Sequence, residues 1–511
     1  MQFGLSKNII ERIRKTFEAN AKVDDVIIFG SRAKGNYKEG SDIDLAVKGR
    51  NIKLDDILKL NGKLDELNLP YKIDLIDYAT IQDKDVVEHI DRMGIIFYER
   101  WKKKKLGDFI EVVNGYAFKS SNFLDSGITD ALPVIKIKNV ANGDVHLNDV
   151  QYHSYDNSLK KFVVEKDDLL IALTGNHPEV MTQVVGDVSR YKLNKKALLN
   201  QRVAKIIAKE NLNKDFLYYF LKDNSTRHYL ASQSAGSANQ ANISKTDIEN
   251  IPVLLPPLEE QNVIASTLSS LDDKIDLLHR QNKTLEQLAE TLFRKWFVED
   301  TDVSWEVIKL GDVAVVQNGY AFSSREYVPF QNNYLEVLKM GHIEPGGGLR
   351  TNPKKDFVPR EDKLKKWTLK KNDIVMAMTD MKDNVVILGV PAIIDKSDKY
   401  VLNQRVARIY LESYEKLINS YLLYIQLNNS EFIATLQNKA NSGVQVNLST
   451  EAIKDCDIII PPIELQKEKG QSITELYLKK ENNNNQIKTL SQLRDTLLPK
   501  LMSGEVRVEM N

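Results

Sequence analysis

The 511-residue sequence contains one cysteine, Cys456, and has no excess of charge of either sign. A single cysteine excludes an internal disulfide framework and any zinc site built from cysteines. The 71 basic residues equal the 71 acidic ones, so a nucleic-acid function must rest on local features. The longest nearly uncharged apolar stretch, 385–394, is about half a membrane span, and no secretion signal is visible at the N-terminus. We therefore expect a cytoplasmic protein without a membrane anchor.

An internal duplication organises four fifths of the chain. Several landmarks recur in the same order at a nearly constant offset of 203–205 residues. They are NGYAF at 114–118 and 318–322, LNQRVA at 199–204 and 402–407, PPLEEQ at 256–261 against PPIELQ at 461–466, and QLAETLF at 287–293 against QLRDTLL at 492–498. Residues 1–100 stand outside the repeat.

The two copies agree unevenly. The landmarks match, whereas 122–190 and 326–395 scarcely do. This pattern favours a duplicated scaffold that presents two different surfaces, and the alternative is ordinary drift of surface loops. If the first interpretation holds, the residues that distinguish one ligand from another lie in these two divergent segments.

Each copy ends in a long predicted helix. Apolar residues in the first helix alternate in steps of four and three, a heptad seam in which Asn282 is a polar position suited to fixing register. The seam residues are Ile264, Leu268, Leu271, Ile275, Leu278, Asn282, Leu285, Ala289, Leu292 and Trp296. The second helix carries a patchier seam around Asn482–Asn485. Helices of about 40 residues are about 60 Å long, so we expect the two to pack on each other, antiparallel, as a spacer.

Two basic stretches, 190–209 and 354–371, fall in comparable parts of the two copies. Such patches suit phosphate anchoring, and the alternative is an ordinary solvated surface. The candidate anchors are Arg190, Lys192, Lys195, Lys196, Lys365 and Lys366.

The repeated Gln-Arg pair at 201–202 and 404–405 also invites assignment to base recognition, because Gln suits adenine and Arg suits guanine. The same pair cannot distinguish two different half-sites, so we expect a structural or phosphate-contacting role within a strand.

The tandem NGYAF, LNQRVA and PPLEEQ landmarks, each copy followed by a long helix, resemble the specificity subunit of type I restriction-modification systems. The resemblance implies two target-recognition domains that bind the two halves of a bipartite site in double-stranded DNA. It also implies docking of two methyltransferase subunits and of restriction/translocase subunits, which bind the S-adenosylmethionine and ATP. Residues 101–511 contain no methyltransferase or Walker motif, so we expect this region to be non-catalytic.

The first hundred residues carry a separate constellation, GSRAKG at 30–35, SDIDL at 41–45 and KIDL at 72–75. Two carboxylates two apart on a strand point to one face, and a third on a neighbouring strand completes a triad suited to Mg²⁺ and an NTP. The candidate metal-binding and catalytic residues are Asp42, Asp44 and Asp74. The candidate nucleotide-binding residues are Gly30, Ser31 and Arg32, with Arg32 neutralising phosphate charge.

This set resembles the minimal nucleotidyltransferases of the polymerase-β superfamily, which are often paired as antitoxins with HEPN-type toxins. Two interpretations stay open: an active enzyme, or a fold retained for docking. The acceptor of an active enzyme is equally open among a partner toxin, a methyltransferase or motor subunit, and tRNA.

The predicted fold class is α+β multidomain. A small α/β nucleotidyltransferase domain (1–100) precedes target-recognition domain 1 (101–257), spacer helix 1 (258–300), target-recognition domain 2 (301–462) and spacer helix 2 (463–511). The main functional hypothesis is a DNA-binding specificity subunit with an appended nucleotidyltransferase. The rival is a nucleotidyltransferase whose duplicated region only localises it on DNA or on a partner.

Overall fold

The computed structural model describes residues 2–20, 22–49, 51–124, 130–141, 143–176, 185–234, 241–300, 305–350, 353–381, 385–413, 415–417, 419–442 and 445–508. The chain divides into two compact units. The first combines Met1–Asp273 with Ser491–Asn511, and the second is Lys274–Leu490. The architecture is mixed α and β, as the sequence predicts.

The N-terminal domain is a four-stranded sheet with helices. Its elements are α1 (Lys7–Glu18), β1 (Val23–Ile28), α2 (Gly30–Lys34), β2 (Ile43–Gly49), α3 (Leu54–Asp65), β3 (Ile73–Asp77), α4 (Lys84–Met93) and β4 (Ile95–Glu99). The strand order is β3-β2-β1-β4, with β2 and β3 parallel and the other pairs antiparallel. Ser6 caps α1 by accepting a hydrogen bond from the backbone N–H of Ile9.

The first repeat body contains two main sheets, ordered β6-β16-β12-β14-β9-β8 and β10-β7-β15-β11, and the two-stranded ribbons β13-β17 and β18-β5. Its strands are β5 (Lys102–Lys105), β6 (Ile110–Asn114), β7 (Ala131–Ile135), β8 (Val140–Ala141), β9 (Asp144–Val145), β10 (Gln151–Ser154), β11 (Val163–Val164), β12 (Leu169–Ala172), β13 (Thr174–Gly175), β14 (Val188–Arg190), β15 (Ala197–Leu199), β16 (Val203–Ala208), β17 (Ala241–Asn242) and β18 (Pro252–Leu255). Its helices are α5 (Lys214–Lys222), α6 (Asn224–Gln233) and α7 (Lys245–Glu249).

The second body repeats this plan, with sheets β20-β27-β23-β25, β22-β21-β26 and β24-β29-β28, and the ribbon β19-β30. Its strands are β19 (Glu306–Lys309), β20 (Ala314–Asn318), β21 (Leu335–Leu338), β22 (Phe357–Val358), β23 (Ile374–Ala377), β24 (Thr379–Met381), β25 (Pro391–Ile393), β26 (Tyr400–Leu402), β27 (Val406–Leu411), β28 (Asn441–Ser442), β29 (Gln445–Asn447) and β30 (Asp457–Ile460). Its helices are α9 (Ser420–Leu427), α10 (Ser430–Lys439) and α11 (Thr450–Lys454).

The long helices are α8 (Leu258–Arg294), which continues as a π-helical turn over Lys295–Glu299, and α12 (Ile463–Met502). Every seam position predicted for α8 is buried or half-buried. Asp272 of α8 pairs with Arg494 of α12 in the first unit, at 2.7 Å. In the second unit Asn282 pairs with Asn484 at 2.7 Å, and Glu286 forms an ion pair with Lys480. Residue numbers that rise along α8 are thus paired with residue numbers that fall along α12, so the two helices pack antiparallel.

The hydrophobic core of each repeat body includes residues from one end of α8 and one end of α12. In the first unit, Ile264 and Leu268 from the start of α8 and Leu498 and Leu501 from the end of α12 join the same buried cluster. In the second unit the roles exchange, with residues from the end of α8 (Ala289, Phe293, Phe297) and from the start of α12 (Ile473, Tyr477). The antiparallel packing is therefore part of both hydrophobic cores.

Local differences from the sequence expectations have clear causes. The sequence pattern over 212–225 predicts one helix, but the structure has two, because Asp223 ends α5 and its side chain caps α6 through the backbone N–H of Ser225. The apolar alternation from Val134 to Val140 predicts one strand, but the strand ends at Ile135 and a 3₁₀ turn, Ile137–Asn139, follows it. The sequence also predicts a strand at 184–185 and loops at Gly236 and Gly443, and residues 184, 236 and 443 lie outside the described residues.

Candidate functional sites

The parallel pairing of β2 with β3 places two of the predicted carboxylates side by side. Asp44 and Asp74 are direct partners in the register of these strands, and Asp42 lies just before β2. Burial raises the pKa of the Asp44 carboxyl above its ordinary value, and repulsion by Asp74 and then Asp42 adds to that rise. The structure therefore brings all three carboxylates within electrostatic reach of one another.

Gly30 lies against the same group. Its φ is +69°, and a Cβ built on it would stand 2.2 Å from Oδ2 of Asp44. A side chain at this position is excluded both by the backbone conformation and by the carboxylate. Ser31 follows at the start of α2 and is half-buried, so the glycine-serine element and the carboxylates occupy one end of the sheet.

Arg32 differs from its expected role as a phosphate ligand. It is 2% exposed, and its guanidinium donates hydrogen bonds to the backbone carbonyls of Phe3, Ser41 and Asp42 at 2.6–3.1 Å. The guanidinium also stacks 4.6 Å from the ring centre of Tyr71. In this structure Arg32 holds the loop that carries Asp42.

The carboxylates have the oxygen ligands that Mg²⁺ prefers, and their mutual repulsion is what a cation relieves. Within the described part of the chain, however, no group of three or more His, Cys, Asp or Glu is close enough to form a preassembled metal site. Asp74 instead forms an ion pair with Lys72 at 2.7 Å. The residues fit a Mg²⁺ held by one or two carboxylates together with nucleotide phosphates, which is the usual mode for this ion.

Most predicted DNA anchors of the first body already have a partner within the body. Arg190 pairs with Asp215 at 3.0 Å and stacks 4.0 Å from the ring centre of Tyr218, so it packs as a structural residue. Lys192 pairs with Asp144 at 3.1 Å, and Lys196 pairs with Glu165 at 2.5 Å. Lys195 is exposed, and its ammonium lies 5.0 Å from the ring centre of Tyr152.

The two anchors of the second body lie on an exposed 3₁₀ turn, Asp362–Trp367. Lys365 pairs with the neighbouring Asp362 at 2.8 Å, and both side chains are largely exposed. Lys366 is exposed and lies 5.7 Å from the ring centre of Trp367. Within the described part of the chain Lys195 and Lys366 thus form no ion pair, so no described carboxylate competes with a phosphate for their ammonium groups.

The repeated Gln-Arg pairs are in turns and not within strands as the sequence suggested. In both copies the Asn of LNQRVA accepts a hydrogen bond from the N–H of the Val three residues later, at 2.9 Å for Asn200 and 3.0 Å for Asn403. All four Gln and Arg side chains are exposed. The glycine of NGYAF packs on the same Asn, since a Cβ on Gly115 or Gly319 would stand 2.1–2.2 Å from its carbonyl oxygen. The two landmark motifs are therefore one structural unit.

An aromatic cluster beside each turn was missed by sequence reasoning. Tyr116 contacts Phe118 and Phe162, with ring centres 4.9 and 5.3 Å apart. In the second copy Tyr320 contacts Phe322 and Trp367 at 4.8 and 5.0 Å. The Tyr and Phe of each cluster belong to the repeated NGYAF motif and could have been found from the repeat. Phe162 and Trp367 lie in the divergent segments, where no sequence signal indicated them.

A buried charge cluster joins the N-terminal domain to the first body. Glu260 of α8 accepts hydrogen bonds from Arg100 Nε at 3.0 Å and from Trp101 Nε1 at 3.2 Å, and Arg100 and Glu260 are 3% and 1% exposed. Arg507 lies 3.8 Å from Glu260 and 2.9 Å from Asp24 of the N-terminal domain. The second copy has Leu465 in place of Glu260. That replacement of a carboxylate by an apolar residue within PPLEEQ was the sequence signal for this junction.

Family comparison agrees with this architecture. Residues 98–287 and 302–492 each match the type I restriction modification DNA specificity domain, and together they span most of the chain. The chain belongs to this specificity family. Residues 11–103 match the polymerase beta nucleotidyltransferase domain, so the specificity-family chain also contains an N-terminal domain of that type. Both resemblances drawn from the sequence motifs are confirmed.

Individual relatives of this specificity-family chain are distant. The MjaVIII specificity subunit of a type I restriction enzyme from Methanocaldococcus jannaschii is 27% identical over 81% of this chain and 95% of its own. The crystal structure of a type I S subunit from M. genitalium is 17% identical and covers 80% of this chain and 97% of its own, with a TM-score of 0.48. The crystal structure of the toxin-antitoxin MntA-HepT is 20% identical over 18% of this chain and 73% of its own, with a TM-score of 0.15.

Among the described helices, none has the length and apolar character needed to cross a membrane.

Proposed function

We propose that this chain is the specificity subunit of a type I restriction-modification system and recognises an asymmetric, bipartite site in double-stranded DNA. The observation that carries the proposal is the duplicated body, because each copy combines a shared scaffold with a segment of different sequence. Two unlike recognition surfaces predict two unlike half-sites, in contrast to the palindrome expected of a symmetric dimer.

Repetition of the scaffold predicts two quasi-equivalent docking surfaces for one type of partner. We assign them to two methyltransferase subunits, which restriction/translocase subunits join. Those subunits bind the S-adenosylmethionine and ATP. The domain boundaries expected from the sequence are retained in this proposal, with α8 and α12 as the spacer.

The test is co-expression with a methyltransferase subunit, followed by mapping of methylated adenines at base resolution. An interrupted motif with two different halves is the expected result. A continuous or palindromic motif would contradict the asymmetric proposal.

We further propose that the N-terminal domain transfers a nucleoside monophosphate from an NTP. Asp42 and Asp44 would hold the Mg²⁺ with the nucleotide phosphates, and Asp74 lies beside Asp44 in the adjacent strand. The metal would supply charge neutralisation at the phosphates. Gly30 allows the chain to approach the phosphates closely, Ser31 donates a hydrogen bond, and Arg32 keeps the Asp42 loop in position.

Incubation of the full chain with labelled ATP, Mg²⁺ and candidate acceptors tests this second activity. The acceptors are a HEPN-type toxin, the methyltransferase and restriction subunits, and tRNA. We expect label transfer by the unmodified chain and loss of transfer in the Asp42→Ala, Asp44→Ala double variant. Absence of transfer to every acceptor would instead favour the alternative, a domain retained for docking.

A further inference from the structure

The ribbon formed by β5 and β18 has a charge that its counterpart in the second copy does not share. The paired ribbons have the same geometry, since Lys105 opposes Pro252 in the first and Lys309 opposes Asp457 in the second. The turn that follows is also the same, because Leu106 donates to the carbonyl of Ile251 at 2.9 Å and Leu310 donates to that of Cys456 at 2.8 Å. The second ribbon is therefore an internal control for what the scaffold requires.

The first ribbon, 102–105 and 250–255, contains four lysines and no acidic residue, a formal charge of +4. The second ribbon, 306–309 and 455–460, contains three acidic residues and one lysine, a formal charge of −2. Lys209, whose backbone N–H and ammonium group contact the segment just after the first ribbon, is likewise replaced by Glu412 in the second copy. Because the second body folds with the opposite charge, the lysines are not needed to build the ribbon.

The charged side chains of the two ribbons also differ in whether they form ion pairs. Lys309 pairs with Asp457 at 2.9 Å and with Asp455 at 3.4 Å, and Glu306 pairs with Lys416 at 2.7 Å. In the first ribbon Lys103 and Lys104 are exposed, and no ion pair joins either to a carboxylate within the described residues. The acids that neutralise Lys309 are replaced there by Asn250 and Pro252, and Lys105 donates a hydrogen bond to the amide oxygen of Asn250 at 3.3 Å.

The pairing register shows which face these lysines share. Lys104 opposes Val253, which is fully buried, whereas Lys103 and Lys105 oppose Leu254 and Pro252, which are exposed. Lys103 and Lys105 are therefore on the outward face, about 6.6 Å apart at roughly 3.3 Å per residue. Two ammonium groups on one face of an extended strand, neither in an ion pair with a described carboxylate, are suited to contact successive phosphates.

We propose that Lys103 and Lys105 of the first ribbon, together with Lys209, form a sequence-independent binding site for the phosphate backbone of duplex DNA next to the half-site recognised by the first body. The inference rests on the proposed DNA-binding function. It adds a site outside the divergent segments, and it makes the two bodies unequal in their electrostatic contribution. Phosphate contacts of this kind raise affinity and its salt dependence without changing which bases are recognised.

The experiment measures binding of the full chain, co-purified with methyltransferase subunits, to a labelled duplex as the salt concentration is varied. We expect the Lys103→Gln, Lys105→Gln double variant to reduce the slope of log affinity against log salt by about two, with the mapped methylation motif unchanged. Lys103→Gln alone is expected to give about half that change. The matched control is Lys309→Gln, which removes a paired lysine from the second ribbon and should leave the slope unaltered.

An unchanged slope in the double variant would overturn the proposal. So would loss of methyltransferase co-purification without a change in slope, which would identify the ribbon as a protein-docking surface. A defect confined to a structured RNA probe would equally reject duplex DNA as the ligand. Failure of the proposed function can be told apart from failure of this inference. If the chain is not a specificity subunit, the unmodified complex shows no preferred sequence. The salt dependence of binding to a random duplex still measures the phosphate contacts of the ribbon.

Discussion

At the residue scale, single side chains decide how the N-terminal domain is attached and whether its carboxylates suit catalysis. Glu260 is buried between Arg100 and Trp101, and the repeat shows that this position otherwise holds an apolar residue, Leu465. Asp44 is partly desolvated and is repelled by two other carboxylates, Asp74 and Asp42. Both residues belong to the N-terminal domain or contact it: Asp44 lies in its sheet, and Glu260 binds Arg100 at its end.

Glu260→Ala is expected to loosen the junction strongly. The substitution leaves Arg100 buried without its carboxylate partner, a change that typically costs about 3–5 kcal/mol. Hydrogen exchange of the β4 amides, Ile95–Glu99, should accelerate. Glu259→Ala is the control, because Glu259 is the exposed neighbour in the same helical turn. Equal protection in the two variants would show that the ion pair does not hold the junction.

Asp44→Asn is expected to raise the melting temperature at neutral pH while abolishing nucleotidyl transfer. The folded state raises the pKa of this carboxyl, so the ionised form opposes folding at neutral pH. This penalty disappears as the pH falls through the raised pKa toward the ordinary value of 3.8, so the gain in melting temperature should shrink over that range. Glu11→Gln, which neutralises a carboxylate on the exposed face of α1, is the control and should leave the melting temperature at neutral pH nearly unchanged. A variant less stable than the parent at pH 7 would contradict the expectation.

At the element scale, the helix pair is the part of the fold that the sequence describes best. The heptad pattern predicts the buried face of α8, and the structure supplies the partners of its polar positions. Asn282 donates to Asn484 at 2.7 Å and accepts from Asn483 at 3.0 Å, and Asn282 and Asn483 are 7% and 1% exposed. A polar layer of this kind favours one register, because a shifted pairing leaves buried amides without hydrogen-bond partners.

Asn282→Leu should destabilise the middle of the helix pair. It removes the shorter of two hydrogen bonds that the buried Asn483 amide donates, and an N–H left unsatisfied in a buried position costs about 1–3 kcal/mol. Faster hydrogen exchange in the peptides around Asn483 measures the loss. The double variant Asn282→Leu, Asn483→Leu should recover part of it, since both buried amides are then replaced by apolar groups. Asn482→Leu is the control on the exposed face of the same helix. Unchanged exchange in Asn282→Leu would exclude a stabilising role for the layer.

At the scale of the whole molecule, the proposed function depends on a spacer of fixed length. One heptad inserted into each of α8 and α12, at the paired positions around Asn282 and Asn484, preserves the seam and lengthens both helices by about 10 Å. We expect the gap between methylated half-sites to increase by about three base pairs at roughly 3.4 Å each, with the recognised bases unchanged. A heptad inserted into one helix only is the control, because it breaks the pairing. Unchanged spacing in the double insertion would refute the ruler function.

The sequence by itself determined those features that depend only on the spacing of residues along the chain. The duplication, the heptad seams, the glycine-serine element and the three aspartates were all visible, because helix and strand periodicity and the close approach at Gly30 are local requirements. Tertiary structure decided which charges remain available. Arg190 and Arg32 are indistinguishable from surface ligands in sequence, yet partners distant in the chain occupy them, Asp215 and Tyr218 for Arg190 and backbone carbonyls for Arg32. The pairing of Asp44 with Asp74, the junction at Glu260 and the outward position of Lys103 and Lys105 likewise depend on strand register and packing, because these bring together residues that no sequence period relates.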